Sequence, residues 1–245
     1  MPQSLDVSDT GPGAVLLDPI PRYLRLHYSW AYIHPNAVRL FERAWLVNLI
    51  LWFNYRRLSE AALTALEDTG PAGQLPGRTL QIACVYGDLT ERLARRGGSA
   101  NGSLDVVDVL PIQLENLARK LPPGSPVRLL TRNADNLALP DASYDRTLLF
   151  FLLNEQPEDV RRRTLMEALR VVRPGGKVVV VDYAMPGAWH PARYLWLPLL
   201  RILEPFAHDL WQQDLTEWLP EPWAGGALTR ARFFGGLYQL VSITR

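Results

Sequence analysis

Between residues 79 and 182 the chain repeatedly alternates short apolar runs with longer amphipathic segments. That rhythm constrains the fold more than any other feature. Thr79–Val85, Ser103–Val109, Val127–Thr131, Asp145–Leu153 and Lys177–Asp182 read as buried strands. A short helix ending at Arg96, a helix over Ile112–Lys120 and an arginine-rich helix over Glu158–Val172 lie between them. Strands this apolar are covered on both faces, and strand–helix alternation of this length gives a mostly parallel sheet with helices on both sides. Ligands of such sheets bind beyond the carboxyl ends of the strands, so the turns there are where chemistry is expected.

The flanks follow different rules. Residues 1–20 read as a flexible leader, and 21–77 as a helical segment on the substrate side. That segment opens with Tyr23, His27, Tyr28, Trp30, Tyr32 and His34, and continues as one helical stretch from about Asn36 to Glu67. The Gly/Pro-rich stretch from Gly70 to Gly77 is a linker. Residues 78–245 then form one α/β domain, with a Pro-, Trp- and Leu-rich cap inserted at about 184–224. A closing antiparallel hairpin is predicted over Ala227–Thr244.

A length of 245 residues suits one such core with decorations. The net charge of +1 gives no support for nucleic-acid binding. The single Cys84 excludes an internal disulfide or a multi-cysteine metal site. Asp6, Asp9 and Asp18 precede the first basic residue, Arg22, which is unlike a transit peptide. No apolar run approaches the roughly 20 residues that span a bilayer. The chain is expected to be soluble or seated on a membrane surface.

Five strand-end segments carry a resemblance. They are Thr79–Gly87, Asp108 at the end of the second strand, Asn133–Pro140, Asp141–Asp145 and Leu169–Gly176. In this order and spacing they resemble the class I S-adenosylmethionine (SAM) methyltransferases, above all those acting on ubiquinone and menaquinone. The implied fold is α/β, Rossmann-like, with a mostly parallel seven-stranded sheet. The implied cofactor contacts are Gln81, Ala83, Val85, Tyr86 and Gly87 on the first loop, Asp108 and Val109 at the ribose, and Asp135 and Asn136 at the adenine. Pro174-Gly175-Gly176 reads as a structural turn.

The first loop departs from the family pattern. An acid is replaced by Gln81, one glycine by Ala83 and a second by Val85, and only Gly87 survives. Val85 is β-branched and disfavours positive φ, and Tyr86 is bulky where a small residue is usual. Loss of an acid near the donor's α-ammonium lowers that amine's pKa and favours the nucleophilic free amine. Decay of an unused site is the other reading.

This altered loop, with Ala31–Pro35 and Leu51–Leu58, is similar to the rhodoquinone-biosynthesis methyltransferase-like family (RquA type). That resemblance implies conversion of ubiquinone to rhodoquinone: a ring methoxy group is replaced by an amine, SAM is the amino donor, and manganese assists. Alternatives are a conventional quinone or small-molecule methyltransferase, or a non-catalytic quinone-binding protein.

Tyr86, Asp88, Asn154 and Glu155 are the catalytic candidates. Tyr86 equally suits filling the space left by a shifted cofactor, and Asp88 suits an N-cap. Cys84 reads as packing. Metal ligands stay unassigned among His27, His34, His190, Glu204, His208, Asp209, Asp214 and Glu217. Trp189, Tyr194, Trp196, Trp211 and Trp218, with Arg193 and Arg201, are candidates for a greasy mouth on lipid. The expected place is the cytoplasmic face of a bacterial inner membrane, bound peripherally. The sequence assigns no oligomeric state.

Overall fold

The computed structural model describes residues 20–67, 75–98, 101–191, 193–194, 206–207, 213–219 and 227–245. Seven strands form one sheet: β1 (Arg78–Ile82), β2 (Ser103–Asp108), β3 (Val127–Thr131), β4 (Tyr144–Phe150), β5 (Val172–Tyr183), β6 (Leu228–Phe233) and β7 (Tyr238–Thr244). Their spatial order is β3-β2-β1-β4-β5-β7-β6. The first five strands pair in parallel, and β7 inserts antiparallel between β5 and β6. The chain reverses its direction of travel between β1 and β4, which opens a crevice at the carboxyl ends of β1, β2 and β4.

Side chains alternate across the sheet because a strand turns successive residues to opposite faces. Val179 and Val181 join the layer holding Leu58, Leu63, Leu89 and Leu93; Val178 and Val180 join the layer holding Leu165, Leu169 and Trp218. The first layer is built by α4 (Tyr55–Leu66) and α5 (Leu89–Gly98), and the second by α7 (Glu158–Val171). On α4 the buried positions Tyr55, Leu58, Ser59, Ala62, Leu63 and Leu66 recur at helical spacing. The α6 helix (Pro111–Lys120) starts with proline at its first turn, where no backbone N–H is needed.

The single helical stretch expected from Asn36 to Glu67 is broken. It forms α2 (Pro35–Phe41), α3 (Ala44–Ile50) and α4, preceded by α1 (Arg22–His27) and a π-helical turn at Ser29–Ile33. The break before α4 has a local cause. Trp52 and Phe53 take positive φ (49° and 60°), and Asn54 Nδ2 holds the turn by donating to the Trp52 carbonyl at 2.8 Å. The first strand also ends sooner than predicted, because Ala83 turns out at φ 72° after its N–H closes a last bond to the Val107 carbonyl. Pro174-Gly175-Gly176 lies within β5 as an irregularity, with Gly175 at φ 79°, instead of forming a turn before the strand. The predicted closing hairpin is β6–β7, joined through Phe234–Gly236. Among the described residues no helix is long and apolar enough to cross a membrane.

Arg161 is fully buried and joins the layers. Its guanidinium donates to the carbonyls of Leu153, Gln156 and Phe206, each at 2.9 Å, and lies 4.4 Å from the Trp218 ring centroid. Removing it leaves three carbonyls short of a charged donor. Arg161→Ala is expected to cost about 3 kcal/mol or more in urea unfolding. Arg161→Lys should recover little of that, because a point charge cannot reproduce the fork.

Candidate active site

The crevice is a cavity of about 460 Å³ with mainly apolar walls. Its floor is the loop after β1 (Ala83, Cys84, Val85, Tyr86) and the ends of β2 and β4. Its roof is the N-terminal helical segment, including Tyr28, Phe41, Val47 and Leu51. Two carboxylates face it, Asp108 and Glu155.

Asp108 ends β2 and is buried. Its Oδ2 accepts from the Cys84 N–H and its Oδ1 from the Leu110 N–H, each at 2.8 Å. Burial raises its pKa, against those N–H groups, which favour the charged form. The carboxylate lines the cavity from the end of its strand. Val109 lines the cavity beside it. The Cys84 thiol is pushed well up by burial and then by Asp108, which disfavours the thiolate and agrees with a packing role.

The loop keeps a glycine-type backbone without most of its glycines. Ala83 and Gly87 both have positive φ, 72° and 89°. Gln81 lies behind the loop, fully buried; its amide nitrogen donates to the Ala83 carbonyl at 2.9 Å and its oxygen accepts from the Thr90 hydroxyl at 3.0 Å. Gly87 has no room for a side chain, since a Cβ would meet the Tyr55 hydroxyl. Asp88 is exposed, directly precedes α5, and its carbonyl accepts the helical bond from Arg92.

Tyr86 lines the chamber. Its ring stacks on Tyr32 and Phe41, both at 5.8 Å between centroids. Its hydroxyl donates to the Ala31 carbonyl and accepts from Gln113 Nε2, both at 2.9 Å. Burial, the largest cause, raises the phenol's pKa, so at neutral pH it is a hydrogen-bond donor and not a base.

After β4, Phe151 takes positive φ and a 3₁₀ turn runs over Leu153–Glu155. Beneath it is Asp182, the buried end of β5. Its carboxylate accepts from the N–H groups of Leu153 (2.9 Å), Asn154 (3.3 Å) and Tyr183 (2.8 Å). The buried Asn154 amide is oriented with its nitrogen toward Asp182 Oδ1 and the Phe151 carbonyl. Glu155 accepts a short bond from the Tyr32 hydroxyl, which joins roof to floor.

The candidates therefore divide. Ala83, Val85, Tyr86, Asp108, Val109, Asn154 and Glu155 meet at the cavity, while Gln81, Gly87 and Asp88 support the loop from behind. Asp135 faces a neighbouring surface groove, where Arg163 holds it through two bonds of 3.0 and 2.9 Å, and Asn136 is exposed. Asn133 and Ala134 line the main cavity in their place. Two further residues escaped sequence reasoning. Gln113 bonds Tyr86 and also the Tyr32 carbonyl at 3.1 Å. Glu42 accepts from the Gly87 N–H at 3.0 Å, from Lys120 Nζ at 2.5 Å and from Asn116 Nδ2 at 2.6 Å. Glu42 is the lone acid in residues 20–57, a signal visible in the sequence.

The residues described do not form a manganese site. Among them no group of three His, Cys, Asp or Glu side chains could hold a metal ion. Both Asp108 oxygens are bonded to N–H groups, and Glu155 is bonded to Tyr32. Asp214 is paired with Arg230 and Glu217 completes its capping box. His190 packs against Phe234, and His27 against Phe206. Glu204, His208 and Asp209, like Trp196, Arg201 and Trp211, lie outside the described residues. Trp218 is buried in the core, so it does not line a lipid-facing mouth.

Comparisons with known proteins agree with this geometry. Residues 79–176 match the family described as a methyltransferase domain. The demethylmenaquinone methyltransferase of Bacillus licheniformis is 28% identical over 166 residues, 67% of this chain and 66% of that protein. The ubiquinone/menaquinone biosynthesis C-methyltransferase UbiE of Cupriavidus necator is 31% identical over 159 residues, 64% of this chain and 58% of that protein. The chain thus spans less than two thirds of the length of these curated relatives. An O-methyltransferase family protein from Burkholderia thailandensis superposes with a TM-score of 0.60 at 17% identity, covering 87% of this chain and 61% of that one. N-methyltransferase NodS from Bradyrhizobium japonicum, solved with S-adenosyl-L-homocysteine, superposes at 0.53 and 15% identity, covering 86% and 93%. The fold is the class I methyltransferase fold.

Two predictions concern this framework. Ala83→Gly should raise stability by about 1 kcal/mol, read as a higher Tm, because it relieves a left-handed alanine. Burial pushes Asp182 up to about 7, whereas the unfolded carboxyl titrates near 4. Between those values the native state binds more protons than the unfolded state, so this group's contribution to stability falls as pH rises. Asp182→Asn should flatten that slope in denaturant titrations from about pH 4 to about pH 7.

Proposed function

We propose that the chain is a SAM-dependent enzyme acting on a membrane quinone, and that it replaces a ring methoxy group of ubiquinone with an amine to give rhodoquinone. One observation carries the reading: a buried strand-end acid, Asp108, lines an aromatic, apolar chamber whose cofactor loop has exchanged glycines for Ala83 and Val85 and carries the bulky Tyr86 beside them. The quinone half is supported by the quinone-biosynthesis methyltransferases that the chain resembles.

The amine half is supported by the loop. Gln81 is neutral and bonded within the protein, so β1 supplies no carboxylate to hold the donor's α-amine as ammonium. The free amine adds to the ring carbon that bears the methoxy group, forming a C–N bond. Glu155 takes a proton from the attacking nitrogen, the C–O bond breaks, and that proton leaves with methoxide as methanol, which leaves the ring nitrogen still bonded to the donor's Cα. Rhodoquinone is released when that Cα–N bond breaks by elimination: a base takes a proton from the donor's Cβ, the nitrogen keeps the bonding pair and takes up a proton, and the donor's remainder departs as an α,β-unsaturated acid. Asp182 and Asn154 hold the turn that aims Glu155. The reaction as written routes no step through a metal.

Ring C-methylation is the second reading, favoured by the printed activity of the relatives. Mass spectrometry separates the two after incubation of the protein with ubiquinone, manganese and SAM labelled with heavy nitrogen in its α-amine. Amination predicts a labelled quinone that has lost methoxy. Ring C-methylation predicts unchanged ubiquinone, whose ring carries no hydrogen, and an unlabelled methyl gained by a quinone lacking one ring substituent, supplied in a parallel incubation. Both quinones unchanged would overturn both readings. Glu155→Gln should lower turnover by about 100-fold while leaving SAM affinity intact. Asp108→Ala should weaken SAM binding at least ~10-fold by calorimetry.

A further inference from the structure

The outer side of the N-terminal segment has a composition unlike the rest of the chain. Residues 20–57 contain six arginines and one acid, Glu42, and that acid is consumed by Lys120, Asn116 and the loop. The chain as a whole carries only +1, so the remainder is net acidic. Arg39, Arg43, Arg56 and Arg57 are all exposed.

Large apolar side chains stand among these arginines. Trp45 and Leu49, one helical turn apart on α3, are 58% and 51% exposed, and Phe53 in the following turn is 76% exposed. Trp52 and Phe53 take left-handed backbone conformations, which bulky residues rarely adopt; Phe53 stands out to solvent, while Trp52 is 37% exposed and its ring centroid lies 6.2 Å from that of Phe234. Burying them in the domain core would be the ordinary outcome for a folding chain. An exposed apolar surface rimmed by cations marks an interaction site, and this pairing of aromatics with arginines matches the headgroup region of an anionic bilayer.

The surface also continues into the chamber. Trp30 and Leu40 line the cavity and are at the same time about half exposed, so they form its rim on this side. The inner side of the same segment, through Val47 and Leu51, is the cavity roof.

We infer that the outer face of α2 and α3, with the Trp52–Phe53 turn, docks on an anionic lipid bilayer and sets the Trp30–Leu40 rim of the chamber against it. A lipid whose aromatic head enters the chamber then keeps its tail in the membrane. Docking itself stands on the surface; only the identity of the lipid delivered rests on the quinone reading. Trp45, Leu49 and Phe53 are the apolar anchors, and Arg39, Arg43 and Arg56 meet the headgroups. Arg57 lies 5.4 Å from the Phe233 ring centroid and has a second, structural use.

Co-sedimentation with vesicles tests this without quinone or cofactor, so it fails or succeeds separately from the proposed reaction. The full chain is mixed with phosphatidylcholine vesicles, or with vesicles of phosphatidylcholine and phosphatidylglycerol in equal parts. Binding is expected to the anionic vesicles and to weaken with salt. The variants Trp45→Ala/Phe53→Ala and Arg39→Gln/Arg43→Gln/Arg56→Gln should each lose at least ~10-fold in partitioning, with Tm unchanged. Absence of binding by the wild-type chain, or binding that both folded variants retain, would overturn the inference. So would a dimer in light scattering that the Trp45→Ala/Phe53→Ala change dissociates, because the face would then be covered by a second copy.

Discussion

The carboxylate of Asp108 is the constraint around which the candidate site is arranged. It sits where the strand order reverses and accepts N–H groups from two loops, Cys84 after β1 and Leu110 before α6. A buried carboxylate in this position costs free energy unless donors surround it. Those donors are also what fix the two loops at one separation. The same arrangement recurs one strand pair away, where Asp182 at the end of β5 gathers the N–H groups of the turn after β4. Two acids at strand ends thus set the positions of the loops that form the floor.

The roof is fastened to this floor by polar contacts at the cavity's edge. Glu42 reaches the Gly87 N–H and Lys120, Tyr32 reaches Glu155, and Tyr86 reaches the Ala31 carbonyl. Apolar contact alone would let the helices slide, because it has no direction. Hydrogen bonds to backbone groups of the cofactor loop instead tie the roof's placement to that loop's shape. The alanine and valine at the former glycine positions, and the tyrosine beside them, make sense in that setting. Tyr86 takes up volume between Tyr32 and Phe41 that an open cofactor loop would leave to solvent or ligand.

The central strands were legible in the sequence because they are buried on both faces and read as continuous apolar runs, whereas the edge strands β3 and β6 have no buried residue. Val178 to Val181 is the clearest case. The N-terminal segment was only half legible. Its helical periodicity gave the right element type, but nothing in the spacing announces that Trp52 and Phe53 leave the helix in left-handed conformations. At the candidate site, strand-end position was enough to place Asp108, Asn154 and Glu155 at the cavity. It was not enough for Asp135, where a shift of two residues decides between the cavity, lined by Asn133, and a pairing with Arg163. Glu42 and Gln113 come from helices distant in sequence, and their roles exist only once those helices cross the loop.

One segment thereby presents three surfaces with different physical demands. Its inner side is apolar and closes the chamber, its edge is polar and grips the cofactor loop, and its outer side combines aromatics with exposed arginines. A roof needed only to exclude water would satisfy the first two and carry an ordinary mixed-charge exterior. The outer side departs from that expectation in the same residues, Trp30 and Leu40, that reach through to the cavity. The exposed surface and the chamber therefore meet at that rim, which gives an apolar path from one to the other. A substrate that is itself part lipid and part aromatic ring matches such a path along its whole length.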